Sequence, residues 1–437
     1  MASPRIEAVK LLTNIEKDSS YSALSLSAML KKTDFADVRD VNFLSALIYG
    51  VLEHKITLDY NISLYLNSSL SKLKPTVLNI LRVGAYQLLY MNKIPISAAV
   101  NEAVKISKKL NASYASGLIN AVLRKISLNG LQLPEKGCVS FIMSVEFSVD
   151  ESIVTALIRD YGIEKTREFL SIYNGRRPIF IRRNSLKCND EELVKSLSED
   201  GVSVLETDLD GCLAVCHTGD IAELNAYKKG LFHVQDKSSQ LCCKILGVDK
   251  NDSVLDCCAA PGGKSFTIAQ YLNRTGKILS CDIFEHKTNL ISVGAGRLGI
   301  ENITVECIDA RKLGNKYSGF DKVLCDVPCS GFGVIGRKPE IRYKSDEEIK
   351  GLPEIQREIL YSCAATVKEG GSLVYSTCTL NKNENDLICD RFLKDFPEFS
   401  VSDDAFYRSL TDKYITVFPD KNGGDGFFIA KFYKGKN

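Results

Sequence analysis

The sequence predicts a multidomain chain: an all-helical bundle over residues 1–130, a small α+β module over 131–232, and a doubly wound α/β domain over 233–437. Three observations carry that division. Apolar residues recur at helical spacing through the first part, and they alternate over short runs in the second. In the third they form repeated strand-then-helix blocks. A chain of 437 residues is also too long for one ordinary core.

Bulk composition narrows the function classes. Apolar content of 45% and charged content of 25% are ordinary for globular protein. No run reaches the roughly 18 apolar residues that a membrane span requires. The opening stretch "MASPRIEAVKLLTNIEKDSS" is broken by charge, so an export signal is not expected and a cytoplasmic location is. Fifteen cysteines, none before Cys138, make an odd count that points to reduced thiols rather than a disulfide framework. Cys212 and Cys216 have no second pair, so no metal site is expected. Net charge is +2, yet residues 1–130 hold 16 Lys+Arg against 9 Asp+Glu. A basic module on a near-neutral remainder suggests a polyanionic partner.

In the first part, "LNILRVGAYQLLY" places Leu78, Leu81, Ala85 and Leu88 on one stripe. Ser97 is the expected N-cap for "AAVNEAVKISKKL", which buries Val100, Ala103 and Val104. "GLINAVLRKI" follows with Leu118, Val122 and Ile126 inward and with Arg124 and Lys125 outward. Five to seven helices are expected. In the second part, "RPIFIRRNSLK", "VSVLETDLDGCLAV" and "GLFHVQDKSSQL" alternate like short strands. In the third, strands are expected at 253–257, 277–282, 303–307, 322–326 and 372–376. "YITVF" and "GFFIAKFY" should add an antiparallel pair.

The loop "VLDCCAAPGGKS" follows the first of these strands and opens a helix near Lys264. Doubly wound folds bind nucleotide-like ligands at this place. A P-loop needs glycine six positions before its lysine, and Cys258 stands there. A dinucleotide fingerprint needs three spaced glycines, and only Gly262 and Gly263 are present. S-adenosylmethionine remains, because its amino-acid end needs only a short turn. Asp282 ends the second strand, where a carboxylate can accept both ribose hydroxyls, and Asp309 follows the third, within reach of an adenine amino group.

The fourth strand runs into "CDVPCSGFGVIGRKPEIRY" and the fifth into "STCTLNKNEND". Adjacent strand ends should bring Asp326, Cys329 and Cys378 to one pocket. A thiol nucleophile suits an unactivated aromatic carbon. Addition of thiolate to carbon 6 of cytosine makes carbon 5 enamine-like and able to accept a methyl group. Asp326 can hydrogen-bond ring nitrogen 3 during that addition. Spacing alone does not rank the two thiols.

"DCCAAPGGKS", "CDVPCSGFGVIGRKPEIRY" and "YSTCTLNKNEND" together resemble the Fmu/Sun (RsmB-type) family of bacterial rRNA 5-methylcytosine methyltransferases. "NFLSALIYGVLEHKITLD" and "LNILRVGAYQLLYMNKIPISAAVNEAV" resemble the NusB-type RNA-binding bundle that this family carries. "GLFHVQDKSSQL" is similar to its segment leading into a Rossmann-like catalytic domain. The resemblance implies that Cys378 is the nucleophile and that Cys329 assists product release. It implies that Cys258, Ala259, Ala260, Pro261, Gly262, Gly263 and Lys264, with Asp282, Asp309 and Asp326, contact S-adenosylmethionine or the active centre. The implied substrate is 16S rRNA, at cytosine 967, on naked or early-assembled RNA.

An unpaired or flipped cytosine is needed for such chemistry. Arg182, Arg183, Arg337 and Lys338 are the expected phosphate contacts. A monomer is expected, without a metal or a membrane partner. tRNA is the rival substrate. The rival class is a non-catalytic RNA-binding assembly factor, and two retained thiols beside an intact Gly-Gly-Lys loop argue against it. Three positions depart from the family pattern: Val327 for a smaller residue, Gly336 for a common Arg, and Asp386 for Glu.

Overall fold

Helical periodicity in the first part produces six α-helices among the described residues: Pro4–Asp18, Val38–Glu53, Lys55–Ser63, Pro75–Tyr90, Ile96–Lys109 and Ser116–Asn129. The computed structural model describes residues 3–18, 37–173, 177–216, 218–419 and 423–436. These residues divide into two compact units, one of residues 1–167 with 337–345 and one of residues 168–336 with 346–437. No helix among the described residues is long and apolar enough to cross a membrane.

In the first unit, helix Pro75–Tyr90 packs against helices on several sides and is buried around most of its circumference, beyond the single stripe expected. Its Arg82 is therefore an interior guanidinium. Asp59 takes it bidentately at 2.6 and 2.7 Å, and Glu16 takes its other nitrogen. Paired this way, an arginine can sit 4% exposed in a Leu/Ile core. Two expectations fail here. Helix Ile96–Lys109 starts behind Pro95, whose φ of −61° sets the entry, so Ser97 lies inside the helix and caps nothing. Leu118 is 37% exposed, because the buried face of its helix is Ile119, Val122, Leu123 and Ile126. Leu123 fills the space left by Gly84, where a Cβ would stand 2.6 Å from a Leu123 methyl.

Helices Val139–Phe147 and Glu151–Tyr161 complete this unit together with residues 337–345. Helix C-termini leave carbonyls without partners. Arg342 donates to the carbonyls of Glu53 and Phe147 at 3.1 Å each, and Tyr343 Oη donates to that of Leu52. Ser148 Oγ is 3.0 Å from the same tyrosine oxygen.

Among the described residues, the second unit holds two sheets. In the first, β1 (Ile179–Arg183), β2 (Ser203–Glu206), β3 (Cys212–Cys216) and β4 (Phe232–Val234) run antiparallel in the order β2-β3-β1-β4. The second sheet comprises β5 (Ser253–Asp256), β6 (Lys277–Asp282), β7 (Ile303–Cys307), β8 (Phe320–Asp326), β9 (Val367–Thr377), β10 (Phe399–Val401), β11 (Ile415–Val417) and β12 (Phe427–Lys434). Its order is β10-β12-β9-β8-β5-β6-β7, with β11 on β12. β5 to β9 are parallel, and β12 lies antiparallel between β9 and β10. Val254 and Leu255 of β5, Val323 to Cys325 of β8 and Leu373 to Tyr375 of β9 are fully buried, as strands covered on both faces must be, whereas the edge strand β7 stays partly exposed. The chain leaves β5 toward β6 and β7, then returns to the other side of β5 as β8. That reversal opens a crevice at the carboxyl ends of β5 and β8, where α/β sheets bind ligands.

Candidate functional site

The loop after β5 is built around Gly262. Its φ is +109°, and a Cβ there would meet the Phe266 ring at 2.3 Å, so only glycine fits. The Ala260–Pro261 peptide is cis, and the Gly262 amide closes the turn on the Ala259 carbonyl at 2.7 Å. Helix Gly263–Tyr271 then begins with no side-chain cap, leaving its first backbone N–H groups open.

Below the loop lies Asp256, fully buried. Ser265 Oγ donates to one carboxylate oxygen at 2.6 Å, and the other has no partner. Burial pushes its pKa up to about 7. Lys264 Nζ reaches Asp326 Oδ2 at 2.7 Å, and Ser376 Oγ donates to Asp326 Oδ1 at 2.8 Å. Burial disfavours the Lys264 ammonium, but the Asp326 carboxylate more than offsets it and holds the pKa above its ordinary value.

A cleft at this point is lined by Cys258, Ala259, Ala260, Pro261, Gly263, Lys264, Asp256 and Asp326 from the large sheet. Val234, Gln235, Asp236 and Ser239 complete its wall. These groups fit the amino-acid end of S-adenosylmethionine: open helix amides for the carboxylate, and the unpartnered Asp256 oxygen for the ammonium. The four residues from "VQDKSS" were not among the expected ligands. Their signal was the N-cap Asp236, whose carboxylate accepts from the Ser238 amide at 2.8 Å and so turns the chain beside the cleft.

The two cysteines meet as strand order requires. β8 and β9 are parallel neighbours with Asp326 opposite Ser376, so Cys329 and Cys378 lie three and two residues beyond one rung. Their sulfurs are 3.2 Å apart and both are half-buried. The hydrogen bond with Cys378, reinforced by burial, raises the Cys329 pKa above its ordinary value. The loops are tied together at several points. Gly333 N donates to the Cys378 carbonyl at 2.9 Å, and the Ser330 and Thr379 hydroxyls are 2.6 Å apart. Fully buried Glu384 accepts from Ser330 N at 2.8 Å, Gln356 Nε2 at 2.8 Å and Asn381 Nδ2 at 3.0 Å.

Other expected residues lie elsewhere. Asp282, 7% exposed, accepts from the Phe284 amide at 3.1 Å, and Asp309 is clasped by Arg311 at 2.7 Å; neither lines the cleft. That guanidinium keeps the Asp309 carboxyl below its ordinary pKa. Arg182 must be withdrawn as a phosphate contact. It is 2% exposed, donates to the Asp210 carbonyl and stacks 5.1 Å from the Tyr271 ring centre. Arg183 pairs with Asp190 at 2.7 Å, Arg337 is half-buried, and Lys338 is exposed. Gly336, where an Arg was anticipated, touches Tyr173; a Cβ would stand 1.9 Å from that ring. Tyr173 Oη in turn donates to the Gly333 carbonyl at 2.7 Å, so the glycine serves the Cys329 loop.

Comparison with known proteins shows the family to which the chain belongs. Residues 243–433 match the model of the 16S rRNA methyltransferase RsmB/F family, and residues 2–128 match the NusB family. The chain is 35% identical to a probable ribosomal RNA small subunit methyltransferase B of Bacillus subtilis, covering 98% of each. It is 30% identical to a protein of the same description from Synechocystis, over 99% of this chain and all of the other. Among solved structures, PH0851 superposes with a TM-score of 0.82 at 25% identity, covering 99% of both chains.

Proposed function

Because the chain belongs to the family of 16S rRNA methyltransferases B and is an S-adenosylmethionine-dependent RNA methyltransferase, we propose that it methylates carbon 5 of one cytosine in 16S rRNA, at the position equivalent to 967. The observation that carries the reading is the 3.2 Å approach of Cys329 and Cys378 beside the Lys264–Asp326 pair.

Bound S-adenosylmethionine supplies an electrophilic methyl group. The loop Cys258–Lys264 and the buried Asp256 hold its amino-acid end, with Asp282 and Asp309 toward the nucleoside. On the RNA side, Cys378 adds as thiolate to carbon 6, which moves electron density to carbon 5. Asp326 supports that addition by taking the thiol proton and sharing it with nitrogen 3 as negative charge develops there, and Lys264 keeps the Asp326 side chain in place. Once carbon 5 is methylated, its proton must leave before the C6–S bond can break. Once Cys378 is bonded to carbon 6, Cys329 is freed of its hydrogen bond to that sulfur, gives its own proton to solvent and as thiolate takes the carbon 5 proton, which lets the C6–S bond break and releases Cys378 and the product. Lys338, Arg337 and the basic helical unit offer phosphate contacts.

Bisulfite sequencing of total RNA, from cells with and without this protein, tests the substrate. A single protected cytosine in 16S rRNA that disappears with the protein is the expected result. Loss of protection in tRNA alone would replace the rRNA reading.

A further inference from the structure

We propose that Glu384 is a positioning residue that clamps the loop carrying Cys329 against the loop carrying Cys378, an inference that rests on the reading of these two thiols as the reacting pair. The sheet itself stops holding the strands together just before the thiols. The Val327 amide still donates to the Ser376 carbonyl at 3.2 Å, and beyond it both chains leave the ladder. Glu384 takes over at that point.

One carboxylate oxygen accepts from the amide of Ser330, the residue after Cys329, and from Gln356 Nε2 of helix Leu352–Thr366. The other accepts from Asn381, three residues past Cys378. Gln356 Nε2 also donates to the Pro328 carbonyl at 2.9 Å, and Tyr375 Oη donates to the Glu384 carbonyl at 2.6 Å. Three elements thus meet on one side chain. A fully buried carboxylate is costly unless its hydrogen bonds are complete. Among the described residues no cation pairs with Glu384, so amide donors alone hold it. Hydrogen bonds to an ionised acceptor are the short, strong kind, and they fix geometry as well as energy. The geometry at stake is a sulfur–sulfur distance, and misplacing a reacting group by about 1 Å can cost about 100-fold in rate.

The test uses the full-length protein with unmodified 16S rRNA and three readouts. These are calorimetric affinity for S-adenosylmethionine, single-turnover methylation, and bridging of Cys329 to Cys378 by a trivalent phenylarsenical, located by peptide mass mapping. Glu384→Ala is expected to keep cofactor affinity within about twofold, to slow methylation by about 100-fold, and to lose the arsenical bridge. Glu384→Gln retains an oxygen for Ser330 and Gln356, and should restore the bridge and a rate within about tenfold of the parent. An Ala variant methylating at the parental rate overturns the proposal. So does a Gln variant as slow as the Ala variant, or loss of cofactor binding in step with rate in both. Cys378→Ser in the same assay separates the two claims. If that variant still methylates, the nucleophile assignment fails, while the bridging result continues to report on the clamp.

Discussion

The α/β domain contains two thiol clusters with contrasting surroundings. Cys257, Cys325 and Cys363 bring three sulfurs within 4.8 Å of one another, in an apolar core and without solvent exposure. Cys329 and Cys378 meet at 3.2 Å, half-buried, past the carboxyl ends of β8 and β9. The first group lies inside the sheet-and-helix sandwich, where a small apolar side chain is what packing demands. The second lies where chain reversal opens the sheet and where Lys264 and Asp326 also converge. On the proposed reading, position relative to the strand ends, rather than thiol chemistry, separates filler from reacting group.

Exchanging residues between these roles should break the contrast in a graded way. Cys378→Ser should reduce methylation by at least about 1,000-fold in a filter-binding assay, because a hydroxyl cannot replace the thiolate. Cys329→Ala should still transfer methyl but should accumulate a covalent protein–RNA adduct stable on denaturing gels, with turnover down by about 10- to 100-fold. Lys264→Met removes the partner of a mostly buried carboxylate, and calorimetry should show cofactor affinity weakened by about 10-fold or more. Cys325→Ala or Cys363→Ala should leave activity within about twofold, and a small cavity should lower the melting transition by about 1–3 °C. Activity loss in a core variant, with unchanged melting, would erase the distinction between the two groups.

Asp256 adds a pH signature on the cleft side. Its folded pKa of about 7 lies above the ordinary carboxyl value near 4, so the native state binds the extra proton. The stability it contributes is present below about pH 4, declines as pH rises, and is lost above about 7. Denaturant midpoints at pH 5.5 and 8 should therefore fall with pH in the parent, and Asp256→Asn should flatten that slope.

Much of the strand framework was legible before the structure. β6 and β7 run over the expected residues, and the apolar runs of β5, β8 and β9 identified those strands. The convergence of Cys329 and Cys378 followed from strand adjacency alone. What escaped reading was set by contacts between distant residues. Arg182 looks like a surface cation in "IRRN", yet Asp210 and Tyr271 take it inside. Leu118 fits a helical stripe, but Gly84 makes room for Leu123 and turns the helix face by one residue. Arg337 and Lys338 read as phosphate contacts, but nothing in "PEIRYKS" signals that Arg342 and Tyr343 close two helix ends. Glu384 reads as one polar residue among several, because its three donors come from separate stretches of chain.

At the centre of the proposed chemistry stands the division of labour between the two strand-end thiols. It is tested most directly by trapping the parent protein on 16S rRNA containing 5-azacytidine, digesting the complex, and mapping the nucleotide-bearing peptide by mass spectrometry. A modified Cys378 with Cys329 unmodified is the expected result. A nucleotide on Cys329, or an adduct that persists in the Cys378→Ser variant, would contradict it.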